Sequence, residues 1–309
     1  MRPEFLDIPG SGLTIPSYAL FLALGLVAGW VLSRFFAQRR GLQTVSLGQG
    51  YTVSTVVGLL SARLWWLLTH PESFSNWTEM VQLQSGQISG GVGLACALVV
   101  TALHCQLHGI SIWAWLDCLA PAVLTVVGCE RIGAFLAGAD FGHVTDAGFV
   151  LAVRFPADSP AFAYHQEAFR GLRSVVELSL PVHPVQLYVA LPAFVAAGLA
   201  SRWHLRHGTS TEGRLAWLTL AFLALVFYIG ADAFRAGASP VAFAGIRRAQ
   251  LIGGALVAMA FALDRYRLRR SRSGPRPAVR GGPRRGRYAR GDPNRSRRSD
   301  GRKPAGKPR

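Results

Sequence analysis

The stretch from Thr14 to Phe36 reads TIPSYALFLALGLVAGWVLSRFF, with no charged residue before Arg34. A helix rises about 1.5 Å per residue, so crossing a hydrocarbon layer of roughly 30 Å takes about 20 apolar residues. The segment therefore predicts a membrane-spanning helix. Six more stretches of the same kind follow, over 47–69, 88–107, 112–139, 184–203, 214–236 and 248–264. The last is short, has Asp264 at its edge, and relies on Arg248, Tyr266 and Arg267 as interfacial anchors. The fourth is too long for a simple crossing and carries Asp117, Glu130 and Arg131, which predicts a helix that is broken, tilted or partly outside the lipid.

Composition points the same way. Of the 309 residues, 50% are hydrophobic and 16% charged, and the mean hydropathy is +0.28; soluble domains carry about 25% charged residues. The formal charge of +17 sits mostly in one place, because residues 265–309 hold 18 Lys and Arg against 2 Asp, which leaves 15 basic and 14 acidic residues in the first 264. A pI of 11.1 would suit a nucleic-acid binder. The excess, however, belongs to a Gly/Pro/Ser/Arg tail too poor in apolar residues to fold. A basic globular domain is excluded and no specific nucleic-acid partner is expected. At about 1 kcal/mol per basic residue, the tail is expected to lie against anionic lipid headgroups.

The expected organisation is a transmembrane domain over 1–270, with a head segment at 140–182, followed by a disordered basic cytoplasmic tail at 271–309. The fold class is all-α: an integral membrane protein of seven transmembrane helices. Cys96, Cys105, Cys118 and Cys129 show neither metal-ligand spacing nor disulfide-scaffold density, and read as buried small hydrophobes. No metal or cofactor is called for. Only Arg2 precedes Glu4 and Asp7, and the first apolar run is longer than the core of a signal peptide, so that run is expected to remain as a span.

Positive residues near span ends favour the cytoplasm. Arg34, Arg39, Arg40, Arg202, Arg206, Arg214 and the tail fall on one side if the spans alternate. The N-terminus is then outside and the C-terminus cytoplasmic. Ser89-Gly90-Gly91, the segment from Arg131 to Gly142, His183, and the segment from Asp232 to Arg235 all gather at the outer boundary. A charge at the centre of a span costs roughly 2.5 to 3.5 kcal/mol, so Arg63, Arg131 and Asp232 are functional candidates by default. A guanidinium there suits a phosphate oxyanion, because it donates two parallel hydrogen bonds and stays charged. Glycines 90, 91 and 93 either bring backbone N–H groups close to a headgroup or permit close helix packing. Arg131 either holds a headgroup or pairs with Glu130, Asp117 or Asp140. Asp232 either transfers a proton or pairs with Arg235 or Arg131.

These residues resemble the prolipoprotein diacylglyceryl transferase family. The resemblance rests on Ile15-Pro16-Ser17-Tyr18, Ala62-Arg63-Leu64, Gly90-Gly91-Val92-Gly93, Asp117-Cys118-Leu119-Ala120-Pro121, the run from Arg131 through Ile132-Gly133-Ala134-Phe135-Leu136-Ala137-Gly138-Ala139-Asp140-Phe141 to Gly142, and His183-Pro184-Val185-Gln186-Leu187-Tyr188, in order from about residue 8 to 264. It implies an enzyme of the bacterial inner membrane that moves diacylglycerol from phosphatidylglycerol to the lipobox cysteine of a preprolipoprotein, beneath a periplasmic head. Such a transfer needs cations on the leaving phosphate and a base for the thiol, and the outer-side catalytic candidates are Arg131 for the first and Asp140, His183 and Asp232 for the second, with His143 a further imidazole. The substrate-binding candidates are Arg63, Ser89, Gly90, Gly91, Gln186, Tyr188 and Arg235. The chain departs from the family pattern at Ser89, Ala134, Ala139, Val189 and Tyr228, where the family places polar or ionisable groups. Those departures motivate a second reading, a member that binds lipid or lipoprotein without transferring. A small-molecule transporter is the reading from another class, opposed by the lack of an internal repeat.

Overall fold

The computed structural model describes residues 4–8, 13–71, 88–168, 177–207, 212–237, 239–243 and 245–273. The basic tail from 274 onward, and the arginines at 170 and 173, lie outside them. A short antiparallel hairpin of β1 (Glu4–Ile8) and β2 (Leu13–Pro16) leads into the first helix. The helices are α1 (Ser17–Arg39), α2 (Thr44–Thr69), α3 (Gly90–Leu107), α4 (Ile112–Ala137), α5 (Pro160–Ala168), α6 (Val185–His207), α7 (Arg214–Ala224) and α8 (Arg248–Ser273). After α7 the chain continues as a π-helix, Leu225–Ala231, and a last turn, Asp232–Phe234. A second hairpin, β3 (Val241–Phe243) with β4 (Ile246–Arg247), connects to α8.

Among the described residues, six helical segments are long and apolar enough to cross a membrane: α1, α2, α3, α4, α6 and the α7–π segment. Their bounds fall within a few residues of the apolar runs. The chain is therefore mostly helical and multi-pass by length and composition. The seventh run does form a helix, α8, with fewer apolar residues between Gln250 and Asp264. It nevertheless meets the α7–π segment at both ends and beside Gly253. At one end Ala249 N donates to Ser239 Oγ, which donates to Asp232 at 3.0 Å; at the other, Arg214 lies 3.9 Å from Asp264.

The fourth span is not broken. α4 is one helix of 26 residues, about 39 Å long, from Ser111, whose Oγ accepts from Ala114 N, to a left-handed Gly138 at φ 69°. Pro121 sits inside it without ending it, as neighbouring helices allow in membranes. The length is accommodated because α4 is the central element, with half of its apolar window buried against 17–39% for the other spans. It packs along α1, α6 and α7, while α3 packs mainly on α2. Leu24, Val27, Val31, Leu60, Leu64, Leu94, Leu98, Leu191, Val195 and Leu199 are instead exposed on the outer helix faces, the pattern expected where lipid is the solvent. Cys105 and Cys118 are buried as read from sequence; Cys96 and Cys129 are partly exposed, and all four are free thiols.

Phe149–Phe155 forms no extended strand. The backbone turns there, with Ala152 N donating to Phe149 O, and pairing is confined to single bridges, Val153 with Val182 and Pro156 with Leu178. Phe155, Ala161 and Val182 form the small core of this head, capped by Phe135, Phe141 and Val153. His165 of α5 is 1% exposed and packs edge-on to Phe141, with ring centroids 5.5 Å apart. Burial pushes its imidazole below the usual 6.5. The folded head therefore prefers neutral His165, so this stabilisation is complete above the unfolded value and is lost as pH falls through the lower folded one. Melting curves recorded from about pH 7 to pH 5 are expected to show decreasing stability, and His165→Gln is expected to flatten that decline.

Candidate functional site

One end of the bundle brings together the start of α1, the ends of α2 and α4, the starts of α3 and α6, and the last turn before β3. Arg131 lies in the last two turns of α4. Its Nε and Nη2 donate to the two oxygens of Glu130 at 2.5 and 2.8 Å, and its Nη1 donates to Asp140 Oδ2 at 2.9 Å. The other oxygen of Asp140 accepts from Arg235 Nη2. Four charges thus alternate, Glu130, Arg131, Asp140 and Arg235, and cancel. Tyr18, in the first turn of α1, hydrogen-bonds Glu130, and the Arg131 guanidinium stands 5.4 Å above the Phe227 ring of the π-helix.

Local backbone explains how residues nine apart in sequence, Arg131 and Asp140, meet. α4 ends at left-handed Gly138, and Asp140 itself has φ 54°, a conformation that Asp tolerates better than most residues. This folds the chain back over the helix end. Gln186, 1% exposed, donates from Nε2 to Ala139 O at 2.5 Å and holds the turn in place. Buried in this way, Gln186 braces the backbone beside Asp140 through its amide nitrogen. Burial raises the Asp140 carboxyl, but Arg131 and Arg235 outweigh it and hold the group below the usual carboxylate range.

Gly142 follows where three segments of the chain meet. Its N–H donates to His183 O at 3.0 Å, and His143 N donates to Phe234 O at 2.8 Å. A Cβ at Gly142 would lie 2.5 Å from His183 O and 2.8 Å from Phe234 O, both backbone atoms. Gly142→Ala is therefore expected to push the head, α6 and the Phe234 turn apart, at a cost of about 1 to 3 kcal/mol, measurable as a lower melting temperature with faster proteolysis in the head.

The remaining candidates divide. His183 packs against His143, Phe149 and Phe234, with Nδ1 3.2 Å from Tyr188 Oη; burial and the neighbouring His143 lower its basicity. Asp232 turns away from Arg131 and Arg235. Its oxygens accept from Ser239 N and Oγ at 3.1 and 3.0 Å, and Arg247 Nη1 lies 3.8 Å from it while donating to its main-chain oxygen at 2.6 Å. It organises the connection into α8. Arg63 is 7% exposed, with its guanidinium 5.1 Å over Trp66, one turn beyond Leu59. Leu59 packs against the cluster of Tyr18, Leu22 and Ala134, which joins the Arg63 side of α2 to α1 and the end of α4.

The glycine motif of α3 splits in two. Gly93 is the packing residue: a Cβ there would sit 2.7 Å from Gly58 O and from the Ala62 Cβ. Gly90 and Gly91 face open space, next to Ser89, whose N–H donates to Ala62 O. Glu130 and Tyr18 were not singled out as site residues by the sequence reading. The available signals were an acid directly beside the signature arginine and the Pro16-Ser17-Tyr18 motif.

A family model described as prolipoprotein diacylglyceryl transferase matches residues 3–265. Among curated relatives, a phosphatidylglycerol–prolipoprotein diacylglyceryl transferase of Rhodopirellula baltica is 28% identical over 60% of this chain and 38% of its own length. Relatives with the same name from Pediococcus pentosaceus and Francisella tularensis subsp. mediasiatica are 25% and 29% identical, over 47% and 49% of this chain and 52% and 58% of their own lengths. The matched region thus spans about half of those relatives.

Proposed function

Because the chain belongs to the prolipoprotein diacylglyceryl transferase family, we propose that it transfers the diacylglyceryl group of phosphatidylglycerol to the lipobox cysteine thiol of a preprolipoprotein, at the extracytoplasmic face of a bacterial inner membrane. The reading is carried by the Arg131 network at one end of a bundle of apolar helices. In the reaction, sulfur bonds to the glyceryl carbon, the carbon–oxygen bond to phosphate breaks, and glycerol phosphate leaves with the electron pair. Charge grows on the phosphate oxygens, and fixed guanidiniums offset it most effectively where water is scarce. Arg131 and Arg235 supply that offset, Glu130 and Asp140 orient them, and Arg63 supplies a cation from the α2 side. Ser89, Gly90 and Gly91, at the start of α3, would receive the headgroup, in keeping with the open space beside both glycines.

The same proposal places the N-terminus and the head in the periplasm, α8 as a seventh crossing, and the basic tail on the cytoplasmic face against anionic lipid. A reporter fused after Arg270 is expected to be active only in the cytoplasm; periplasmic activity would invert the topology. Function is tested by giving the purified chain vesicles with labelled phosphatidylglycerol and a lipobox peptide. Label on the peptide thiol supports the proposal, and a well-folded preparation that binds lipid but leaves the peptide unlabelled refutes transfer.

A further inference from the structure

Arg131 has little left to offer a phosphate. A guanidinium presents two edges for bidentate contact. Glu130 occupies the Nε/Nη2 edge with both of its oxygens, at 2.5 and 2.8 Å, and Asp140 takes Nη1 of the remaining edge at 2.9 Å. Glu130 is further held by Tyr18. Asp140 is the weaker hold: its second partner, Arg235, has a side chain 50% exposed. Charge leads to the same conclusion. Two carboxylates already balance the two guanidiniums of this network, so the network offers an arriving phosphodiester no net positive charge, at side chains of Arg131, Glu130 and Asp140 that are 15–17% exposed. One carboxylate has to yield, and geometry selects Asp140.

We propose that the substrate phosphate displaces the Asp140 carboxylate from Arg131 and Arg235, and that the released carboxylate then takes the proton of the acceptor thiol. The inference rests on the transferase reading above. Clamped between two guanidiniums, Asp140 is a poor base; released from them inside the same pocket, it regains basicity when the lipid is in place and the thiolate is needed. The step balances. The proton moves from sulfur to an Asp140 oxygen, the sulfur lone pair forms the bond to carbon, and the carbon–oxygen electron pair leaves with the phosphate. Asp140 gives its proton to solvent as glycerol phosphate departs and the guanidiniums take the carboxylate back. The left-handed backbone at Asp140 suits this exchange, because the residue sits on a turn beyond the helix end and not within α4.

The test separates binding from turnover. Asp140→Asn keeps the shape and removes the competing charge. It is expected to bind phosphatidylglycerol in nanodiscs lacking peptide more tightly, by roughly tenfold or more, while kcat for the peptide falls by roughly 10²-fold or more. Asp140→Glu, which keeps the charge, is expected to retain lipid affinity near that of the unaltered protein and to recover part of kcat. Weaker lipid binding by Asp140→Asn with an unchanged melting temperature would overturn the exchange and leave Asp140 as a fixed anchor. Tighter binding with unchanged kcat would overturn its role as base. Failure of the unaltered protein to transfer would refute the function instead, and the binding comparison still decides the displacement.

Discussion

Replacing Arg131 with alanine is expected to lower the rate of transfer from phosphatidylglycerol to a lipobox peptide by roughly 10²- to 10³-fold, the loss typical for removal of one preorganised group that stabilises charge in a transition state. The effect is large because Arg131 is the centre of the network. Its removal takes a cation from the phosphate and leaves Glu130 and Asp140 facing each other at a largely buried position without the guanidinium between them. Arg131→Lys is expected to be intermediate in stability yet poor in rate, since an ammonium keeps the charge but cannot bridge Glu130 and Asp140 bidentately. The measurement is the single-turnover rate in vesicles alongside the melting temperature. A rate in Arg131→Ala within a few fold of the unaltered protein would remove the electrostatic role assigned to this residue.

The largest expected loss of stability lies at the opposite end of the bundle. Asp117 of α4 is 1% exposed and accepts from Arg40 at 3.3 Å, from Gly213 N at 2.8 Å and from Ala216 N at 3.0 Å. Arg40 also donates to Ala114 O and to His204 Nε2, the latter at 3.1 Å. One carboxylate thus ties the end of α1, the start of α4, the end of α6 and the turn into α7. Asp117→Ala leaves a buried guanidinium and two backbone N–H groups without their acceptor, which costs about 3 to 5 kcal/mol. The expected readout is a fall in melting temperature on the order of 10 °C, with Asp117→Asn falling less because its amide oxygen still accepts. Lipid affinity of the fraction that remains folded is expected to be unchanged, because the Arg131 network is at the other end. A melting temperature unaltered by Asp117→Ala would show that the cluster contributes no net stability.

Much of this architecture is legible along the chain. Apolar runs of about 20 residues announce themselves, and six of them are helices within a few residues of where the runs begin and end. For Arg131 the sequence leaves a headgroup, Glu130, Asp117 and Asp140 open, and the turn at Gly138 past the helix end brings Asp140 back to it. Arg235 is a different case. It reaches Asp140 because the π-helix Leu225–Ala231 changes the rotation of the residues after it, and because Gly142 and Arg235 pair as a bridge across the head. Asp232 shows the same limit in reverse: the sequence offers it Arg131 and Arg235 as partners, and the turn through Ser239 offers it Arg247 instead. Gln186 reads as a headgroup candidate in a polar motif, and nothing in that motif announces its bond to Ala139 O.

What the order of residues determined alone was the apolar character that fits a membrane, the approximate bounds of six long apolar helices, and the presence of guanidiniums near their ends. Those follow from local rules, the rise per residue and the cost of placing charge in hydrocarbon. Which carboxylate each guanidinium meets was decided only in three dimensions. An ion pair forms between side chains whose separation depends on how whole helices rotate and pack about α4, and no spacing along the chain encodes that rotation.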